Sequence, residues 1–69
     1  MKYAVVLEKG KRNYSAYVPD LPGCVATGKT KAETLREIGD AIAFHLDGMK
    51  QEGLPIPKPS AQAEYVNVA

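Results

Sequence analysis

A short run near the middle of the chain, residues 18–30, joins a predicted strand to a predicted helix through a loop rich in proline and glycine. Proline fixes φ and lacks a backbone N–H, whereas glycine reaches φ values that other residues avoid. Pro19, Pro22 and Gly23 therefore predict a single rigid loop shape. Such a loop either positions the following strand or presents a surface to a partner.

The size of the chain limits how it can be stabilised. A chain of 69 residues forms one domain, residues 1–69, and folding at this size buries only about 60% of the unfolded surface. Cys24 is the only cysteine and His45 the only histidine, so neither a disulfide nor a Cys/His metal site can reinforce the core. Oligomerisation is the remaining support. We therefore expect a homo-oligomer, either a dimer or a larger assembly.

The charge balance gives no indication of a nucleic-acid partner. Nine basic residues against eight acidic ones give a net charge of +1, which offers no electrostatic reason to bind nucleic acid. The basic cluster at residues 9–12 is interpreted as a solvated hairpin tip rather than an RNA contact.

The N-terminal apolar run is too short for a signal peptide, and no segment is long enough to span a membrane. A single unpaired cysteine favours a cytoplasmic location.

Three strand signals precede one strong helix signal. Residues 2–8, 13–18 and 24–28 are predicted strands, and the first is apolar on both faces, as is typical of a central strand. The helix begins with a capping box, with Thr30 as N-cap and Glu33 three residues later, and extends over residues 31–52. Gly39 and Gly48 lie inside it, where close approach of another element would offset their cost. The apolar helix face comprises Leu35, Ile38, Ile42, Leu46 and Met49.

The remaining segments complete an α+β prediction. Residues 54–60 contain three alternating prolines and form an extended connector, and residues 64–68 alternate as a final strand. The order β-β-β-α-β predicts a three-stranded antiparallel meander, with a right-handed crossover that places strand four parallel to strand one. One long helix covers only one face of this sheet. A second subunit is the expected cover for the other face.

Candidate contact residues lie on the rigid loop and on the helix. Phe44 lies on the side of the helix opposite Leu35 and Leu46, which indicates either a lone exposed aromatic residue or a contact with a partner or second subunit. The predicted partner or oligomer contacts are Asp20, Leu21, Pro22, Gly23 and Phe44.

The residue types that carry chemistry do not converge. His45 is interpreted as a partly buried residue at the edge of the core, and Cys24 as a small buried hydrophobic residue. The carboxylates do not cluster in the way that a two-metal nuclease requires, and no glycine-rich phosphate loop is present. We therefore predict no catalytic residue, no cofactor and no metal site.

Three motifs together resemble one family. They are P-D-L-P-G-C at residues 19–24, G-x-T-x-x-E at residues 28–33 and G-x-x-I-P-x-P at residues 53–59. Across residues 3–68 the chain resembles the N-terminal domain of HicB-type antitoxins. The resemblance implies a degraded RNase H-like fold without nuclease carboxylates, and self-association. It also implies neutralisation of HicA, a small double-stranded-RNA-binding-type toxin that cleaves mRNA with a histidine.

The chain departs from the typical family pattern at its end. Typical HicB antitoxins continue into a C-terminal DNA-binding domain, whereas this sequence stops at Ala69, just after the last predicted strand. We therefore expect no direct DNA binding, and a solitary HicB-like protein is one expectation. The leading hypothesis is a non-catalytic antitoxin that binds a small basic toxin. The alternatives are a residual metal-dependent nuclease using Glu8 or Asp20, and a generic oligomeric protein-binding scaffold.

Overall fold

The computed structural model describes all of residues 1–69. It contains strands β1 (Val6–Lys9), β2 (Tyr14–Tyr17) and β3 (Val25–Gly28), followed by helix α1 (Lys31–Gln51). The strands form one antiparallel sheet in the order β1-β2-β3. The predicted α+β meander with one long helix is therefore confirmed, and no helix has the length and apolar character needed to cross a membrane.

The strand register determines which side chains meet the helix. Leu7 lies opposite Ala16, and Ala16 lies opposite Ala26, so one row of small and aliphatic side chains crosses all three strands. Helix α1 packs over this face and contributes the buried side chain of Ile38. The core comprises Ala16, Val18, Leu21, Cys24 and Ile38.

The second face of the sheet has no covering element within the chain. Because side chains alternate along a strand, the row Val6, Tyr17 and Val25 lies on this face, and the latter two side chains are exposed. The adjacent row, Glu8, Ser15 and Thr27, is polar. The uncovered face is therefore apolar near the start of β1 and polar near its end.

Thr30 caps the helix as predicted, but the return bond to Glu33 comes from the N–H of Lys29 rather than from that of Thr30. The Thr30 hydroxyl accepts a hydrogen bond from the backbone N–H of Glu33 at 3.0 Å, and the Glu33 carboxylate accepts one from the N–H of Lys29 at 3.0 Å. The helix ends at Gln51, one residue before the prediction, and Gly53 follows with a φ of 71°. Nothing lies within 4 Å of a Cβ built on Gly39 or Gly48, so within one chain no element approaches either glycine closely.

The predicted fourth strand is not formed in the single chain. Residues 64–68 have no regular structure, are exposed and make no backbone hydrogen bond. The first strand is also shorter than predicted, because it begins at Val6 rather than at residue 2. Its partner β2 ends at Tyr17, and Pro19 has no N–H with which to extend the ladder, so residues 3–5 lie beyond the paired region.

Candidate partner-binding surfaces

The outward face of α1 carries an exposed aromatic side chain among carboxylates. Phe44 is 82% exposed, and at 100° per residue Glu37, Asp40 and Asp47 all fall within about 60° of it around the helix axis. All three carboxylates are exposed. We call Phe44 with Glu37, Asp40 and Asp47 the acidic stripe. It presents a large apolar side chain surrounded by negative charge.

A shallow depression lies beside Phe44, towards the C-terminal end of the helix. Its volume is about 490 Å³. His45 and Met49, which are both half-buried, form part of its wall, and Gly48 leaves the space above the helix open. Its full lining consists of Phe44, His45, Gly48, Met49, Gln51, Glu52 and Leu54. This arrangement can receive an apolar side chain from a partner.

The loop between β2 and β3 is fixed by its own backbone. The N–H of Leu21 donates to the carbonyl of Val18 at 3.0 Å, and the N–H of Cys24 donates to the carbonyl of Leu21 at 3.0 Å. Gly23 adopts a φ of 84°, which favours glycine. Leu21 is only 1% exposed, so its side chain belongs to the core. Of the predicted contact residues in this loop, Pro22 and Gly23 are exposed.

Asp20 is engaged within the chain. Its carboxylate accepts hydrogen bonds from the hydroxyl of Ser60 at 2.9 Å and from the backbone N–H groups of Ser60 and Ala61, each at 3.1 Å to Oδ2. The hydrogen bonds from Ala61 and Ser60 lower the pKa of the Asp20 carboxyl below its ordinary value of 3.8. Asp20 therefore ties the connector, residues 54–60, to the sheet.

Five of the nine basic residues gather at the opposite end of the sheet. The turn between β1 and β2 contributes Lys9, Lys11 and Arg12, and the β3–α1 junction contributes Lys29 and Lys31. Together they surround a depression of about 400 Å³. Only the first cluster is recognisable in the sequence, because the antiparallel meander brings Lys29 and Lys31 beside it in the folded chain.

The residues proposed for a nuclease lie far apart in the topology. Glu8 lies near the end of β1, whereas Asp20 follows the end of β2, and in an antiparallel pair these are opposite ends of the sheet. No group of three or more His, Cys, Asp or Glu side chains is positioned to hold a metal ion. Cys24 is buried, and desolvation raises the pKa of its thiol. The geometry therefore gives no support to the nuclease alternative.

The structure is a small α+β domain with a rigid loop and an exposed helix face. The model of the HicB-like antitoxins of bacterial toxin–antitoxin systems matches residues 3–69. The chain therefore belongs to the HicB-like antitoxin family. It is also 30% identical to antitoxin HicB 2 of Photorhabdus laumondii, over 93% of this chain and 46% of that protein.

Other relatives include phage and archaeal proteins. A 14.9 kDa protein of Haemophilus phage HP1 is 36% identical over 97% of this chain and 50% of its own length. A UPF0150 protein of Thermoplasma acidophilum is 40% identical over 90% of this chain and 91% of its own length. The chain thus spans about half of the phage protein and nearly all of the archaeal one.

A solved structure shares the fold. A chain of the HicA3 and HicB3 toxin–antitoxin complex superposes with a TM-score of 0.73 at 30% identity. The superposition covers 87% of this chain and 70% of that chain. The resemblance to HicB antitoxins inferred from the three sequence motifs is therefore confirmed.

Proposed function

We propose that this chain is a non-catalytic antitoxin that binds and neutralises a small HicA-type toxin that cleaves mRNA. The observation that carries the proposal is the likeness of 87% of the chain to a chain of the HicA3 and HicB3 complex. Family membership over residues 3–69 supports the same role. A cytoplasmic location follows from the proposal, because the mRNA substrate of such a toxin is there.

The acidic stripe is the proposed toxin-binding surface. A small basic toxin carries the opposite charge, and complementary charges accelerate encounter and select among partners. Phe44 supplies the apolar anchor, since exposed aromatic side chains dominate the energetics of many interfaces. The neighbouring depression of about 490 Å³ receives a side chain of the toxin.

The basic end of the sheet is unsuited to bind a basic toxin, which also favours the acidic stripe as the binding surface. Lys9, Lys11, Arg12, Lys29 and Lys31 would repel a basic partner. Phe44 and Asp47 lie in the second half of α1, away from the N-terminal end where Lys31 begins the helix. The loop residues Pro22 and Gly23 stay a second, predicted contact for a partner or for another copy of the chain.

We propose in addition that the chain self-associates through the uncovered face of the sheet. Val6, Tyr17 and Val25 form an apolar row there, and no element of the same chain lies over them. Burial of such a row removes apolar surface from water. In this proposal the chain binds a toxin and a second copy of itself, and it makes no direct contact with DNA.

Isothermal titration of the chain into a HicA-type toxin tests the binding surface. Phe44→Ala should weaken binding by about 30-fold, which corresponds to about 2 kcal/mol. Asp47→Lys should also weaken toxin binding, and the loss of affinity should be larger at low salt than at high salt. Salt screens the electrostatic interaction between the acidic stripe and the toxin.

Two matched variants serve as controls. Thr27→Ala removes an exposed side chain from the other side of the molecule, and Glu8→Lys reverses an exposed charge there. Both should leave toxin affinity unchanged. Equal losses from Phe44→Ala and Thr27→Ala would contradict the helix-face assignment, and no binding to any HicA-type toxin would favour a generic scaffold.

A further inference from the structure

We propose that residues 64–68 of one chain pair as a fourth strand with the free edge of β1 in a second copy of the chain, and that the second copy returns the same contact. The inference names a second contact between two copies, at the edge of β1 rather than on the uncovered face of the sheet, and it is independent of toxin binding. It names the segment that is exchanged and the edge that receives it. The fourth strand predicted from the sequence is then supplied by the partner copy.

The receiving edge is already present in the structure. Strand β1 lies at one side of the sheet, and only β2 is its neighbour. Residues 3–5 lead into β1 and are half-buried. They lie outside the helix and the strands, and their backbone groups take part in none of the hydrogen bonds formed by the loops and turns. Backbone donors and acceptors require partners, and an unpaired edge is a template for an added strand.

The donated segment matches this edge in its side chains. Tyr65 is 99% exposed, Val66 80% and Val68 88%, so three large apolar side chains are exposed to solvent. Side chains alternate along a strand, which puts Val66 and Val68 on one face and Tyr65 on the other. The edge of β1 is likewise apolar on both faces, with Val5 and Leu7 on the helix side and Val6 on the uncovered side.

The course of the connector directs the segment away from the edge of its own chain. The Tyr3 hydroxyl donates a hydrogen bond to the carbonyl of Pro57, and the Asp20 carboxylate then holds Ser60 and Ala61. The chain therefore passes from the start of β1 towards the β2–β3 loop. The free edge of β1 lies on the other side of that strand, because β2 separates it from β3.

The overall dimensions agree with a segment that projects from the body. The radius of gyration is 13.4 Å, whereas a compact domain of this length has a value of about 11 Å. The longest dimension is 46 Å, against 27 and 17 Å for the other two. An element that leaves its own domain and fits an identical edge elsewhere is the arrangement of a strand-exchanged dimer. Reciprocal exchange occupies both β1 edges and closes the assembly at two copies.

Thiol cross-linking between two distinguishable copies tests the pairing. In a Cys24→Ala background, one copy carries Ala4→Cys and the other, larger through a tag, carries Val66→Cys. The two are unfolded and refolded together, then treated with a short bis-maleimide. We expect the mixed dimer as the main cross-linked product, whereas Lys58→Cys in place of Val66→Cys should give little. A doubly substituted chain that cross-links only within itself would overturn the exchange.

Sedimentation equilibrium provides an independent readout. Val66→Pro removes a backbone N–H from the exchanged segment and should weaken dimerisation at least about tenfold. Gln62→Pro, which lies outside the segment, should not, and circular dichroism checks that both variants keep the helix. A dimer unaffected by Val66→Pro would overturn the exchange while preserving self-association. A monomer at all concentrations would overturn both, and neither result depends on toxin inhibition.

Discussion

The carboxylate of Asp20 accepts a hydrogen bond at 3.1 Å from the backbone N–H of Ala61, which lies 41 residues further along the chain. This contact joins the rigid loop after β2 to the far end of the connector. The aspartate of the P-D-L-P-G-C motif thus has a structural role inside the chain. Because its oxygen atoms are already engaged, Asp20 is less suited to partner contact than the exposed Phe44.

This contact should respond to pH. Hydrogen bonds from Ala61 and Ser60 lower the pKa of Asp20 in the folded chain below 3.8, its ordinary value. Folding therefore favours the ionised carboxylate. Its stabilising contribution is fully present above about pH 5 and is lost as the pH falls below 3.8 through the folded pKa. In an NMR titration, the amide resonances of Ser60 and Ala61 should follow this protonation step.

Two substitutions separate this effect from general acid unfolding. Asp20→Asn should abolish the titration of the Ser60 and Ala61 amide resonances and lower the melting temperature at neutral pH. Asp40→Asn changes an exposed carboxylate on the helix and should leave the titration intact. Titration of both amides with a midpoint above 3.8 would contradict the direction of the pKa shift.

Gly28 should tolerate no side chain. A Cβ at this position would lie 2.6 Å from the Thr34 hydroxyl and 2.9 Å from the Thr34 backbone nitrogen. Gly28→Ala should therefore reduce the free energy of unfolding by about 1–3 kcal/mol in urea titrations. Gly39→Ala is the matched control, because its Cβ meets nothing within 4 Å, and it should stabilise the helix by up to about 1 kcal/mol. Equal effects of the two would contradict the packing.

Thr30 should contribute to stability through its cap. Thr30→Ala removes the acceptor for the Glu33 N–H, which lies 3.0 Å from the hydroxyl, and should reduce the free energy of unfolding by about 1 kcal/mol. Thr30→Asp retains an acceptor and should restore most of this loss. Thr27→Ala removes an exposed threonine from β3 and should cost less. A Thr30→Ala variant as stable as the parent chain would contradict the capping assignment.

Local patterns were sufficient for most of the fold. The capping residue Thr30 determines where α1 begins, and the apolar periodicity correctly places Ile38, Ile42 and Leu46 against the sheet. Leu35 was assigned to the same face but is 43% exposed, whereas the neighbouring Thr34 is buried. Pro19 correctly marks the end of β2. These features depend on neighbours in the sequence, which is why they could be predicted.

Other features depend on contacts between distant parts of the chain. The segment at residues 64–68 has strand-like alternation, but a strand also needs a free sheet edge within reach. The Asp20 contact holds Ala61 at the β2–β3 loop, away from the free edge of β1 in the same chain. Leu21 was expected at a contact surface, yet the loop turns its side chain into the core. The five-residue basic end likewise arises only when two separate turns meet.

The central claim is that this chain neutralises a HicA-type toxin through the outward face of its helix. The most direct test measures RNA cleavage by a purified HicA-type toxin while the chain is added in increasing amounts. We predict that cleavage stops near a stoichiometric amount of chain, and that Phe44→Ala shifts the inhibition curve by about 30-fold while Thr27→Ala does not. Undiminished cleavage at a large excess of well-folded chain would contradict the account.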